Sequence, residues 1–405
     1  MLHIHFGAGR LGLGLIAPAF KKAGSELFLV NRSQTGAKAT GTTALSARRR
    51  NVLMGARAQH SYFIQKPGGS AADRIAVDYD GFDLYDDDTI HATIHTILGR
   101  SHRSAEGVVV TASVIAQENY PPVITALNEL ARRRTAGEAV GRIWFIACEN
   151  TLSAPAMLMD DCVRSMLIQD ALEHVTPVHA LVDRMCVGLE EVMTDAGPAV
   201  LVRAEEFGSV KLQLDEASAD LVALCEGSDV EFSRHVDTEK QIKSWLLNGT
   251  HWVIALQAFE ASRGDQSMKL NEFLLSDPRS LEFARTAMRE MQEGVALSLH
   301  GDPKYRSFIE DVDVDAYLQR AADAILRRFC STEDPITRIL ARFRAPTPES
   351  ADSIVSFSKR FAERVDQPMQ AYEARRGTLP PAASRGIVSL MRLVANGTFI
   401  NATAA

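Results

Sequence analysis

Hydrophobic residues follow two rhythms along this chain. Near its start, residues 2–6, 26–30, 107–112 and 143–147 form short apolar runs, partly β-branched and closed by glycine-rich or polar segments. Runs of that length predict strands buried on both faces of a parallel sheet. Between the second and third runs, residues 60–64 and 74–79 predict an inserted hairpin, and Asp86-Asp87-Asp88 predicts a helix start. After Met185 the apolar positions recur at helical spacing over 215–226, 239–262, 278–298, 313–330 and 351–375, and only 199–204 and 208–213 look extended. The pattern predicts two domains: an α/β domain over 1–185 and a mostly α-helical domain over 186–405.

The first strand leads into Gly7-Ala8-Gly9-Arg10-Leu11-Gly12 and then an apolar-periodic segment through Ile16 and Phe20. In a strand-turn-helix context, GxGxxG makes a dinucleotide site. The first glycine permits the tight turn, the second lets the backbone approach a pyrophosphate, and the third lets helix and strand pack closely. The first domain is therefore expected to be a Rossmann-type doubly wound sheet, with residues 7–12 holding the cofactor. Thr111 and Ala112, at the end of the third run, fall where open α/β sheets bind ligands, and so does Asn150 after the fourth. About 20 residues past the glycines stands Asn31-Arg32, where an NAD site usually carries a carboxylate. Arg32 suits a 2′-phosphate, which favours NADP over NAD; the alternative is a surface arginine beside an NAD ribose. His3 and His5 in the first strand are expected to be packed or hydrogen-bonded rather than to be ligands.

The run QIKSWLLNGTHWVIAL in the helical half carries Lys243, Asn248 and His251 among Trp245, Leu246, Leu247, Trp252, Val253 and Ile254. At ~100° per residue the three polar groups share an arc of about 140° on an otherwise apolar helix. A lysine in such surroundings is usually paired or used. An amine that takes a proton, an amide that donates to an oxyanion and an imidazole that holds a hydroxyl suit alcohol–ketone interconversion. A surface stripe is the bland alternative. Gly249 costs roughly 1 kcal/mol in a helix interior, so a close approach to the backbone is expected there.

Composition narrows the function further. With 405 residues, 46% hydrophobic and 23% charged, the chain is long enough for two cores, and a net charge of -7 gives no field that favours nucleic acid or an anionic membrane. The start lacks a basic segment followed by an apolar core, and no apolar run reaches spanning length, so a cytoplasmic protein with no membrane partner is expected. Five scattered cysteines without ligand spacing argue for reduced thiols and against a structural metal.

Taken together, HFGAGRLGLGLI, HSYFI, ACEN (147–150), Val182-Asp183-Arg184 and KSWLLNGTH resemble, in the same order, blocks of the polyol-specific long-chain dehydrogenases, the mannitol dehydrogenase family. The K-x(4)-N-x(2)-H spacing is the specific part, and HSY and ACEN resemble its hexitol-phosphate branch. The resemblance implies a metal-independent NAD(P)-dependent enzyme that interconverts a sugar alcohol, or its phosphate, and the ketose. It implies Lys243 as general acid/base, Asn150 and Asn248 as oxyanion donors, His251 as a substrate-orienting group and Asp183 as a supporting polar group. The family also has a substrate-contacting Arg and Lys near its tail, for which Arg338 and Lys359 are the candidates; position 346, where the Lys is usual, is Pro. Ser113-Val114 replaces a common Val-Gly pair. A free-polyol or hexuronate reductase of the same family is the nearest alternative. A 3-hydroxyacid dehydrogenase, whose Lys and Asn usually stand four apart, and a noncatalytic NADP-binding regulator are the others. The expected partner is a small sugar alcohol or sugar phosphate, bound by a monomer or small homo-oligomer.

Overall fold

The computed structural model describes residues 1–33, 51–53, 60–86, 88–114, 119–148, 165–263, 265, 267–341, 362–385 and 388. They fall into two compact units, Met1–Val236 and Asp237–Ala405. The strands are β1 (Leu2–Phe6), β2 (Glu26–Arg32), β3 (Ser61–Gln65), β4 (Ile75–Asp78), β5 (Gly81–Tyr85), β6 (Val108–Ala112), β7 (Ile143–Ala147), β8 (Val175–Pro177), β9 (Ala180–Asp183), β10 (Cys186–Thr194), β11 (Gly197–Ala204), β12 (Ser209–Gln213) and β13 (Val230–Ser233).

The first unit is built on a sheet of order β5-β2-β1-β6-β7-β8, in which every neighbouring pair runs parallel. That order places β1 at the centre, with the chain reversing direction between β1 and β6. Open α/β sheets bind ligands at such a switch point, beyond the carboxyl ends of the strands. This is the Rossmann-type α/β fold expected for the amino-terminal half, followed by the helical second unit. The period of two in β1 divides its residues cleanly. Leu2, Ile4 and Phe6 pack with Ile90, Ile94, Val123 and Leu127 of the helices Ile90–Arg100 and Pro121–Thr135. His3 and His5 face the other side, where His3 meets the Phe20 ring at 4.7 Å.

That other side is covered by two small sheets, and they move the unit boundary past residue 185. The expected hairpin is present as antiparallel β3 and β4, and it joins β10 and β11 in a sheet of order β10-β11-β3-β4. A second sheet, β13-β12-β9, buries Val182, Val210 and Leu212 with Phe20, Trp144 and Ile146. Residues 186–236 are thus largely extended and pack on the dinucleotide-type sheet, where mostly helix is expected from the sequence. β10 hides from a periodicity reading because nearly all its residues are half-buried, so no apolar face alternates with a polar one. It is held instead by its turn, where Gly197 takes φ +117°, and by the Glu190–Arg203 ion pair to β11 at 2.6 Å.

The second unit gathers its helices around a shared core that includes Trp245, Trp252, Phe259, Met291, Leu318 and Ile339. Val236–Ile242 continues through a π-wound turn, Lys243–Gly249, into Thr250–Ala261. The long helix Pro278–Gly301 starts at Pro278 with Asp277 accepting from the Arg279 N–H, and Val314–Ser331 is capped by Asp313 in the same way. No described helix is long and apolar enough to cross a membrane.

Gly249 explains itself here: a methyl group on it would collide with the carbonyl oxygen of Arg364 in a second π-wound turn, Ala362–Asp366. Substituting Gly249→Ala should therefore destabilise the chain by about 1–3 kcal/mol through overpacking. Gly99→Ala, in a helix with nothing within 4 Å of the added carbon, should stabilise by about 0.5–1 kcal/mol. Urea midpoints of the two variants check both signs.

Candidate active site

The glycine turn follows β1 and is stitched to three strands. Gly7 takes φ +97°, its N–H donates to the Val30 carbonyl at 3.0 Å, and the Ser113 N–H donates to Phe6 at 2.9 Å. The Gly7 carbonyl accepts from the Gly9 N–H at 2.7 Å, from Ser113 Oγ at 3.1 Å and from His5 Nε2 at 3.1 Å. A side chain at Gly7 would meet the Ser113 backbone, and one at Gly12 would overlap the His5 ring and the Gly7 carbonyl. Gly9 differs from both: the nearest atom to its missing side chain is the Gly7 carbonyl oxygen at 4.0 Å. Two glycines are thus sealed by the fold and one is open. Helical winding begins at Arg10, which is exposed, followed by half-buried Leu11 and buried Gly12 and Leu13. First-turn N–H groups lack intrahelical partners, so the open glycine and the helix start fit a pyrophosphate.

Beneath the turn lies a buried chain of hydrogen bonds. A carbonyl only accepts, so His5 Nε2 carries the proton given to Gly7 and His5 Nδ1 is an acceptor. Thr111 Oγ1 donates to His5 Nδ1 at 2.7 Å and accepts from His3 Nε2 at 2.7 Å. Both imidazoles are neutral. Burial, together with the nearby His5 and Lys21, pushes His3 well below the usual histidine range. Burial brings His5 down to about 4, opposed only by its bond to Gly7. Thr111 therefore turns inward, fully buried, rather than toward a cofactor, and Ala112 is buried beside it. The polar group that reaches the turn is Ser113, one residue further on.

Around this turn, the sequence candidates fall as follows. Asn31 and Arg32 close β2 rather than forming a loop beyond it; both are half-buried, and the Asn31 amide donates to the Arg32 carbonyl at 3.2 Å. Ala8 is buried. Asp183 ends β9, half-buried and in register with Ser209. Its neighbour Arg184 donates to the Gly14 carbonyl at 2.7 Å and to the Glu205 carbonyl at 2.8 Å, tying the fingerprint helix to the small sheets. Asn150 and Lys359 lie outside the described residues.

In the second unit, every residue from Ile242 to Leu256 is buried except Lys243, Asn248 and His251. Winding changes their geometry. Regular α turns set Lys243 and Asn248 about 140° apart, whereas i→i+5 winding brings residues five apart to roughly one turn. The π turn thus draws the amine and the amide onto one face, with His251 three residues on. Ser244 on the covered side donates to the Glu363 carbonyl at 3.3 Å.

His251 leads to a residue that the sequence reading missed. Its ring stacks on Phe329 with centroids 4.5 Å apart, and Nε2 lies 3.4 Å from Asp334 Oδ2. The side chain of Asp334 is 3% exposed and also receives the guanidinium of Arg338, whose Nε and Nη2 donate to its two oxygens. The loop is anchored: the Leu270 N–H donates to the Asp334 carbonyl at 2.9 Å, and the Ile336 N–H to Met268 at 3.0 Å. Arg338 is thereby brought next to His251 through one carboxylate. The available signal was Asp-Pro before the helix Ile336–Ala341, with Arg four residues after the Asp.

Comparison with solved structures identifies the same architecture elsewhere. Pseudomonas fluorescens mannitol 2-dehydrogenase, solved as a ternary complex with NAD and D-mannitol, matches with a TM-score of 0.57 at 15% identity, over 96% of this chain and 78% of that one. D-sorbitol dehydrogenase in substrate-free form matches at 0.55 and 13% identity, over 98% and 93%. The likeness is one of fold. A scan of protein-family models and a search of curated proteins give no match.

The buried histidines set a pH dependence. An unfolded histidine takes a proton near pH 6.5, whereas folded His5 does so only near 4 and His3 also lies well below its usual range. As pH falls below about 6.5 the unfolded chain binds more protons, so stability present above that pH drains away at up to about 1.4 kcal/mol per unit for each histidine. Urea midpoints at pH 7, 6 and 5 should decrease in that order; a constant midpoint would mean that the two rings bind protons alike in the folded and unfolded chain.

Proposed function

We propose that this chain is an NAD(P)-dependent oxidoreductase that interconverts a sugar alcohol and the matching ketose. The substrate is a hexitol phosphate, which the HSY and ACEN segments favour by resemblance, or the free hexitol. The observation that carries the reading is the second-unit helix: fifteen consecutive positions, 242–256, leave uncovered only an amine, a carboxamide and an imidazole. A sealed-open-sealed glycine turn on a Rossmann-type sheet supports it. So does the fold shared with an enzyme solved with NAD and D-mannitol.

Oxidation of a secondary alcohol removes a proton from oxygen and a hydride from carbon. Residues 7–12 would hold a nicotinamide dinucleotide, which would supply the hydride acceptor, and the donor in reverse. Lys243, as the free amine, takes the hydroxyl proton; as the ammonium, it returns a proton to the alkoxide. The Asn248 amide donates to the oxygen as negative charge develops on it, and Asn150 is the second donor by resemblance. His251 holds a neighbouring hydroxyl and so fixes which carbon is presented, and Asp183 is a supporting polar group. Positioned acid–base groups contribute about 10² to 10⁴ in rate, and one oxyanion donor about 10² to 10³. Arg32 at the end of β2 favours NADP, since a guanidinium pairs with a 2′-phosphate and the usual carboxylate is missing.

The test is a spectrophotometric panel of mannitol, mannitol 1-phosphate, fructose, fructose 6-phosphate, glucitol 6-phosphate and fructuronate, each with NAD(H) and NADP(H). Turnover of at least one alcohol–ketone pair is expected, and complete inactivity sinks the reading. Lys243→Ala should lose about 10² to 10⁴ in kcat while binding the dinucleotide as before. Unimpaired turnover would mean that the proton goes elsewhere.

A further inference from the structure

The proton path above makes no use of Asp334, although this is among the most buried carboxylates in the second unit and the one that joins two candidate site residues. Its two oxygens meet the Nε and Nη2 edge of Arg338, the edge a guanidinium would otherwise offer to a carboxylate or phosphate. One of them also lies 3.4 Å from the His251 ring. Asp334 and Arg338 together carry no net charge. A phosphate arriving at Arg338 would have to displace a carboxylate that is only 3% exposed, or sit against it unscreened. A neutral hydroxyl meets neither cost.

We propose that Asp334 is a specificity-determining positioning residue: it fixes His251 and occupies Arg338, so that this end of the site accepts the hydroxyl-bearing end of a neutral polyol and rejects a phosphate or carboxylate. The proposal rests on the polyol reading and chooses between the two substrates it names. It also gives Arg338 a role other than the direct anion contact implied by resemblance. Arg338 serves as the counter-charge to the buried Asp334 carboxylate beside the imidazole.

The test uses the full-length chain and inorganic phosphate as the probe. Calorimetric titration at fixed ionic strength compares the wild type with Asp334→Asn, Asp334→Glu and the double variant Asp334→Asn/Arg338→Gln. The wild type should bind phosphate weakly. Asp334→Asn should bind it at least about tenfold more tightly by removing the carboxylate from beside Arg338, the double variant should lose that gain, and Asp334→Glu should behave as the wild type. In steady state, Asp334→Asn should lower the kcat/KM preference for free hexitol over hexitol phosphate by about tenfold, through KM. Equal phosphate affinity in wild type and Asp334→Asn overturns the proposal, as does a gain that persists without Arg338. If Asp334→Asn does not fold, the wild type decides: submillimolar phosphate binding that Arg338→Gln removes overturns it, and its absence supports it. A wild type inactive on every polyol defeats the oxidoreductase reading, while the phosphate titration still decides the role of Asp334.

Discussion

The carbonyl oxygen of Gly7 accepts from a backbone N–H, a serine hydroxyl and an imidazole at once, and the glycine turn has its shape because all three donors are fixed. Each donor imposes a requirement elsewhere. The imidazole must be neutral and hold its proton on Nε2, which Thr111 enforces from the neighbouring strand. The serine must follow β6 in register with β1, as the pairing of Phe6 with Ala112 ensures. Crowding at that point then excludes a side chain from Gly12, so the first helix settles directly on the strand. The shape of the turn is in this sense set by groups packed around it.

The second unit follows a different rule, exclusion. Apolar packing covers nearly every position of one helix, and the polar groups left uncovered are those with acid–base and hydrogen-bonding chemistry. The cost of burying a carboxylate near them is offset by a bidentate guanidinium. In the proposed role, selectivity and stability are coupled at Asp334, because a change that takes its carboxylate from Arg338 also takes it from beside His251.

Much of this was legible in the residues. The parallel strands announced themselves because they are buried on both faces and so read as unbroken apolar runs, and GxGxxG marked a turn between a strand and a helix, which is where the structure places it. The Lys, Asn and His were legible as a set because their surroundings are so uniformly apolar. What stayed hidden had physical reasons. β10 shows no alternation because both its faces are half-covered, and β13 is too short for its pattern to stand out, so residues 186–236 read as part of a helical half. Thr111 looked like a cofactor contact because its position on the strand fits; only the register against two histidines shows it turned inward. Asp334 carries no periodic signal. It matters because a loop 83 positions after His251 returns to that ring.

The π winding of Lys243–Gly249 has a mechanical consequence. Such a turn holds one residue more than α winding would need, so relaxing it would slide the following helix about 1.5 Å along its axis and swing it about 100° around. Asn248 would then leave the face it shares with Lys243. Gly249 opposes this, because its bare Cα is seated against the Arg364 carbonyl, where a residue with a side chain brought to the same place would collide. The smallest residue of the helix thereby acts as a detent, holding a surplus residue in place like a pawl in a ratchet.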